Sequence, residues 1–179
     1  MIACDFIQKD ENGNAEYQRG RELLLEIAPY ADEELKGYVL PKIPLTWYFE
    51  GASNFEKQMF EEALVCFNNA FSGFQELGLT SNAISALKQV AIVNYQTYHI
   101  EEAIRKYEQA LLMSQSLNDS IAQMDIAQEL YRLSGIVGDM EGIAKYTNLM
   151  DSLIANTTDK QVQFEYYCQK GAETLNQGK

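Results

Sequence analysis

The residue types that carry most enzymatic proton transfer are scarce in this chain of 179 residues. There is one histidine, His99, and it stands in a predicted turn. A general base needs a nucleophile or acid within hydrogen-bond reach, and no serine or cysteine motif surrounds His99. Cys4, Cys66 and Cys168 are far apart, odd in number and without a Cys-x-x-Cys pair, so neither a zinc site nor a redox pair is indicated. Cys66 and Cys168 fall within helical apolar patterns and read as buried small hydrophobes. No His-x-x-Glu or Glu-x-x-His spacing provides metal ligands. Gly13, Gly20 and Gly37 are too scattered to cradle a phosphate. Glu61-Glu62 and Glu101-Glu102 each open a predicted helix, where carboxylates complement the positive end of the helix dipole. The expectation is a protein that is not an enzyme, with no catalytic residue, metal or cofactor.

Composition narrows the partners. The formal charge is −12, from 14 Lys and Arg against 26 Asp and Glu. Nucleic-acid binding needs clustered Lys and Arg, and the same acidity disfavours an anionic membrane surface. The acidity is first a matter of solubility, and the alternative reading is attraction to a basic partner. Hydrophobic residues make up 46%, enough for the core of one domain of ordinary size. No segment is long and apolar enough to span a bilayer, so no direct membrane insertion is expected. Met1-Ile2-Ala3-Cys4 is too short for the charged and apolar regions of a signal peptide.

The elements that must position any binding residues announce themselves by a forty-residue echo. Gly51, Ala91, Tyr131 and Gly171 recur at that interval, and so do Ala63, Ala103 and Ile143. A fixed period of this length marks a repeat array. The two strongest copies, around Glu61-Glu62-Ala63-Leu64 and Glu101-Glu102-Ala103-Ile104, are each followed by an aromatic (Phe67, Tyr107) and an alanine (Ala70, Ala110). The small residues Gly51, Ala63, Ala70, Ala91, Ala103 and Ala110 let neighbouring helix backbones approach closely. A worn copy follows at Gly138–Tyr146.

Helices are expected over about 15–27 (capped by Asn14), 31–40, 45–56, 59–77, 82–97, 101–117, 121–136 and 141–155. A last one runs to about 175, opened by the capping-box spacing Thr158-x-x-Gln161. Pro41-Lys42-Ile43-Pro44 is the clearest break, and Pro44 fits a first helical turn. Gly78 is a stop signal, Thr80 or Ser81 a cap, and Asn118-Asp119-Ser120 a stop followed by a start. No stretch sustains period-two alternation, so no strand is expected.

These residues resemble the tetratricopeptide repeat, in a variant longer than the usual unit of about 34 residues. Helix A carries Trp47 and Gly51, then Leu87 and Ala91. Helix B carries Ala63, Phe67 and Ala70, then Ala103, Tyr107 and Ala110. The resemblance covers roughly residues 44–175. It implies an all-α fold, a right-handed α-α superhelix of antiparallel helix pairs with about nine helices. Residues 1–43 are expected to be N-terminal capping helices or a degenerate repeat, since solenoids need a shielded end. Residues 44–179 are the array, with repeats at about 44–79, 80–118 and 119–157 and a half repeat at 158–179. The period calls for a further helix B beyond Lys179.

In this family the inner groove is lined mainly by helix A. By register, the corresponding ligand contacts are Tyr48, Phe55, Lys88, Ile92, Tyr95, Gln128 and Arg132, with Ala52 and Gly135 in the same rows. Lys88 and Arg132 stand at nearly matched positions on adjacent A helices and suit a carboxylate or phosphate. The Lys/Asn pattern of the family's C-terminal-peptide clamps is met at Lys88 but not at Ile92. The function implied is a protein- or peptide-binding scaffold. Residues 146–153 (Tyr-Thr-Asn-Leu-Met-Asp-Ser-Leu) are similar to sensory regions of bacterial two-component histidine kinases, which implies a periplasmic location for a membrane sensor and a cytoplasmic one otherwise. A cytoplasmic peptide-pheromone regulator is the alternative, although residues 1–43 are too short and acidic for its helix-turn-helix domain. An enzyme with an unrecognised site is the remote one.

Overall fold

The computed structural model describes residues 16–157 together with 160, 163, 166 and 167. The cap at Asn14, most of the final helix with its capping box, Cys4 and Cys168 lie outside the described residues. Within them the chain is all-α, without a strand. The helices are α1 (Tyr17–Ile27), α2 (Glu33–Val39), α3 (Lys42–Glu56), α4 (Phe60–Glu76), α5 (Thr80–Gln96), α6 (Ile100–Ser116), α7 (Ser120–Val137) and α8 (Met140–Asn156). A 3-10 turn, Ala28–Tyr30, lies between α1 and α2. No described helix is long and apolar enough to cross a membrane.

From α4 onward the helix starts advance in steps of twenty residues, half the period of the sequence echo. The step is set by the turns. Gln58, Gly78, Tyr98, Asn118 and Gly138 all have positive φ, between 54° and 75°. The residue after each donates its N–H back to a carbonyl five positions earlier: Met59 to Asn54, Leu79 to Phe74, His99 to Asn94, Asp119 to Ser114 and Asp139 to Ser134, at 2.8–3.0 Å. This is the 6→1 bond of a Schellman ending. The same residue caps or precedes the next helix, so two or three residues reverse the chain. Gly78 acts as the expected stop. Thr80 and Ser81 do not cap α5: Leu79 holds the cap position and makes no side-chain cap bond. Asp119 and Asp139 do cap, their carboxylates accepting from Ala122 N and Gly142 N.

The chain divides into two compact units, with the boundary inside α6 between Met113 and Ser114. In the first unit α1 packs on α3, α3 on α4 and α4 on α5. The predicted small residues are where backbones meet. Ala63, Ala70, Ala91, Ala103 and Ala110 are completely buried. A β-carbon placed on Gly51 would stand 2.9 Å from the Phe67 ring, and one on Gly73 would stand 2.9 Å from Pro44 Cβ. Phe67 is itself fully buried with Ala63, Val90 and Val93. A second cluster joins Ala70 and Phe74 of α4 to Ala83 and Ala86 of α5, with Leu45, Trp47 and Met113 against it. Pro44 lies buried in the first turn of α3.

In the second unit α7 packs on α8. Ala127, Met150, Ile154 and Tyr166 form its core, with Tyr131 packed against them. Tyr131 thus fills the place that a small residue holds in the earlier copies. Tyr166 donates to Asp151 Oδ1 at 2.9 Å, and the Gln163 amide donates to the Thr157 carbonyl at 2.9 Å.

Two stability effects follow. Gly51→Ala gains about 1 kcal/mol of helix propensity but forces a methyl into a buried ring, an overpacking cost of about 1–3 kcal/mol. A net loss is expected in urea unfolding; a net gain means Phe67 yields freely. Tyr98→Gly removes a bulky residue from the left-handed region, a relief of about 1–2 kcal/mol, partly offset by unfolded-chain entropy. The expected result is a higher Tm, and a lower one overturns the assignment of strain to this turn.

Candidate functional site

Of the residues expected in the groove, Tyr48 and Phe55 lie on α3 and Lys88, Ile92 and Tyr95 on α5, all in the first unit. Tyr48 is half-buried, its ring edge-on to Phe67 at 5.6 Å and to Phe49 at 6.0 Å. Phe55 meets Phe60 of α4 edge-on at 5.6 Å. Both therefore contribute to the α3–α4 packing while keeping part of their surface. Lys88, Ile92 and Tyr95 are half-buried, set among Leu87, Val90, Ala91 and Val93, which are buried outright. Gln128 and Arg132 lie on α7 in the second unit, Gln128 half-buried and Arg132 exposed. The Arg132 guanidinium donates from Nε and Nη2 to Glu129 Oε2, at 3.0 and 2.7 Å. That ion pair on its own helix answers part of the charge that register reasoning offered to a ligand.

The other chemistry-bearing residues have local duties. His99 is exposed, with Nδ1 2.9 Å from Thr97 Oγ1. Glu61-Glu62 and Glu101-Glu102 stand in the first turns of α4 and α6. The Glu102 carboxylate also takes hydrogen bonds from Arg105, which hold its pKa below the ordinary value, and Lys106 approaches it at 3.3 Å. Among the described residues no three His, Cys, Asp or Glu side chains converge as metal ligands.

A second constellation, on α1 and α3, was not anticipated. Arg21 is 6% exposed. Its guanidinium carbon lies 3.4 Å from the centroid of the Trp47 ring, and its Nη1 is 2.5 Å from Glu50 Oε2. The cation is thus stacked on an aromatic face and paired at its edge, the arrangement that a planar guanidinium permits and an ammonium does not. Cation–π contact is worth about 2 kcal/mol when desolvated. The Glu50 side chain keeps 27% of its surface exposed, so loss of either partner costs less than the about 3–5 kcal/mol of a fully buried pair. Trp47 and Glu50 stand three apart on one helix and therefore share a face. That spacing, with Arg21 three residues before Leu24 on an otherwise apolar face, is the signal that was legible in the sequence.

Cys66 on α4 feels the charges of this pair. It is buried, as its apolar setting predicts, and Asn54 Nδ2 donates to its Sγ at 3.7 Å. Burial, reinforced by the Glu50 charge, pushes the thiol up to about 11. Burial likewise raises the Tyr17 hydroxyl above its usual value, with Glu50 and Glu56 adding to it.

The Cys66 environment has a consequence for pH. A thiol with a folded pKa above its unfolded value favours the folded state in its protonated form. Its contribution is intact below the unfolded pKa of about 8.5 and is lost as pH rises toward about 11. Wild type should lose stability between pH 9 and 11 more steeply than Cys66→Ala, measured by urea midpoints; parallel curves would exclude this role. No protein-family model matches this chain, and no curated protein matches it either.

Proposed function

We propose that this chain is a protein- or peptide-binding scaffold of the tetratricopeptide kind, acting through the face that α3 and α5 share by register. One observation carries the reading. Lys88, Ile92 and Tyr95 line one side of α5 at helical spacing and keep exposed surface beside a fully buried row. A half-covered apolar and aromatic row with one cation at its edge suits an extended segment or a helix laid along it. Tyr48 and Phe55 add aromatic surface on α3, and Lys88 orients an acidic group of the partner. By sequence register alone, Gln128 and Arg132 hold the equivalent positions on α7 of the second unit. The twenty-residue step supports the family reading, because it gives every second helix an equivalent face.

The same reading extends to a role in signalling, as the sensory or interaction region of a bacterial protein such as a two-component histidine kinase. Its support is the likeness of residues 146–153. In that stretch Tyr146 and Met150 are core residues, so the likeness lies in scaffold positions.

The test is selection of a displayed random-peptide library on the immobilised full chain. Selected peptides should lose at least about tenfold in affinity, or about 1.4 kcal/mol, to Ile92→Glu and to Lys88→Glu. Urea unfolding of each variant separates a loss of fold from a loss of binding, and Lys88→Glu should keep the wild-type stability within about 0.5 kcal/mol. Peptides that bind equally to all three proteins overturn the groove.

A further inference from the structure

We infer that the Trp47–Glu50 face of α3 is a binding site for a guanidinium group, at present filled by the chain's own Arg21, and that α1 is a strap which an arginine-bearing helix of a basic partner displaces. This site is separate from the α5 row, and the inference stands without the groove reading.

The first ground is the way α1 is attached. Of its eleven residues, only Arg21 and Leu24 are buried. Neither end carries a side-chain cap bond, and its last turn runs into Pro29 through a 3-10 turn. Leu25 and Ile27 are 57% and 46% exposed. Besides these two anchors only Tyr17, Gly20 and Leu23 of the helix are half-covered, and an element with so few fully buried side chains belongs to the low-stability end of a structure.

The second ground is what lies beneath. Trp47 offers an aromatic face oriented by packing that does not involve α1, and Glu50 offers a carboxylate one turn further along the same helix. Trp47 packs against the Ala70, Phe74, Ala83 and Ala86 cluster, and α3 is held by α4. The receptor half is thus built into the repeat array, while the ligand half sits on a lightly held helix. A stacked, edge-paired guanidinium is what this half-site selects over an ammonium.

The third ground is charge. At −12 the chain attracts basic segments, and a partner helix with an arginine three residues before a leucine would reproduce both of α1's anchors. Competition between α1 and such a helix is an autoinhibitory contact: the strap lowers apparent affinity by the fraction of time it is seated.

The chain's single tryptophan is the reporter. The probe is a synthetic peptide covering residues 16–28, in wild-type form and with Arg21→Ala. In the full-length Arg21→Ala protein, Trp47 emission should shift to the red. Amides of α1 should exchange at least tenfold faster while those of α5 keep their protection. The wild-type peptide should reverse the emission shift and bind this protein at least tenfold more tightly than the Arg21→Ala peptide does. It should also bind the wild-type protein more weakly, because the strap competes. Unchanged emission and α1 exchange overturn the latch, and equal binding of the two peptides overturns guanidinium recognition. If Arg21→Ala also deprotects α5, the peptides are compared on the wild-type protein, where equal binding again overturns the inference. An Arg21→Lys protein, which keeps the charge but lacks the planar fork, should open nearly as far as Arg21→Ala.

Discussion

The structure depends on one backbone constraint, repeated five times: a residue in the left-handed region reverses the chain, and the next residue returns a 6→1 hydrogen bond to the helix just finished. Because that next residue also starts the following helix, the connection has no slack. From α4 to α7, helix length plus turn comes to twenty residues each time, so equivalent positions recur on equivalent faces. Glycine meets the constraint at Gly78 and Gly138 without steric cost. Asn118 meets it at small cost, since asparagine tolerates the left-handed region, whereas Gln58 and Tyr98 meet it against the preference of a β-carbon, so the packing of the flanking helices must hold them there.

That packing is a matter of small residues opposite large ones. Gly51 leaves the space that Phe67 fills, and Gly73 leaves the space for Pro44. The fully buried alanines of α4, α5 and α6 do the same along the array. In the second unit the rule changes, since Tyr131 packs where a small residue stands in the earlier copies. There, side-chain caps from Asp119 and Asp139 reinforce the helix starts that Met59 and Leu79 leave uncapped.

Charge is spent in two different ways. Pairs such as Arg105 with Glu102 and Arg132 with Glu129 lie one turn apart on a single helix and are exposed, which contributes little to stability. Arg21 and Glu50 lie 29 residues apart and join two helices out of reach of most solvent. The first kind tunes solubility and reduces the charge available to a ligand. The second decides whether α1 stays on α3, and its field reaches Cys66 and Tyr17.

The sequence by itself determined the helical class, the forty-residue period, the helix positions to within a few residues, and which small residues sit at close approaches. All of these are local or periodic properties, written in spacing and in the presence or absence of a β-carbon. It also determined that Cys66 is buried, because an apolar helical pattern surrounds it. Only the tertiary structure decided that Tyr98 turns the chain at positive φ, that Leu79 rather than Thr80 holds the cap position of α5, and that Glu129 engages Arg132. Only the tertiary structure brought Arg21 onto Trp47 and Glu50. Helical spacing states which residues share a face of one helix; it carries no term for which foreign side chain will cover that face. A guanidinium seated across 29 residues is set by how α1 returns onto α3, and that is a property of packing.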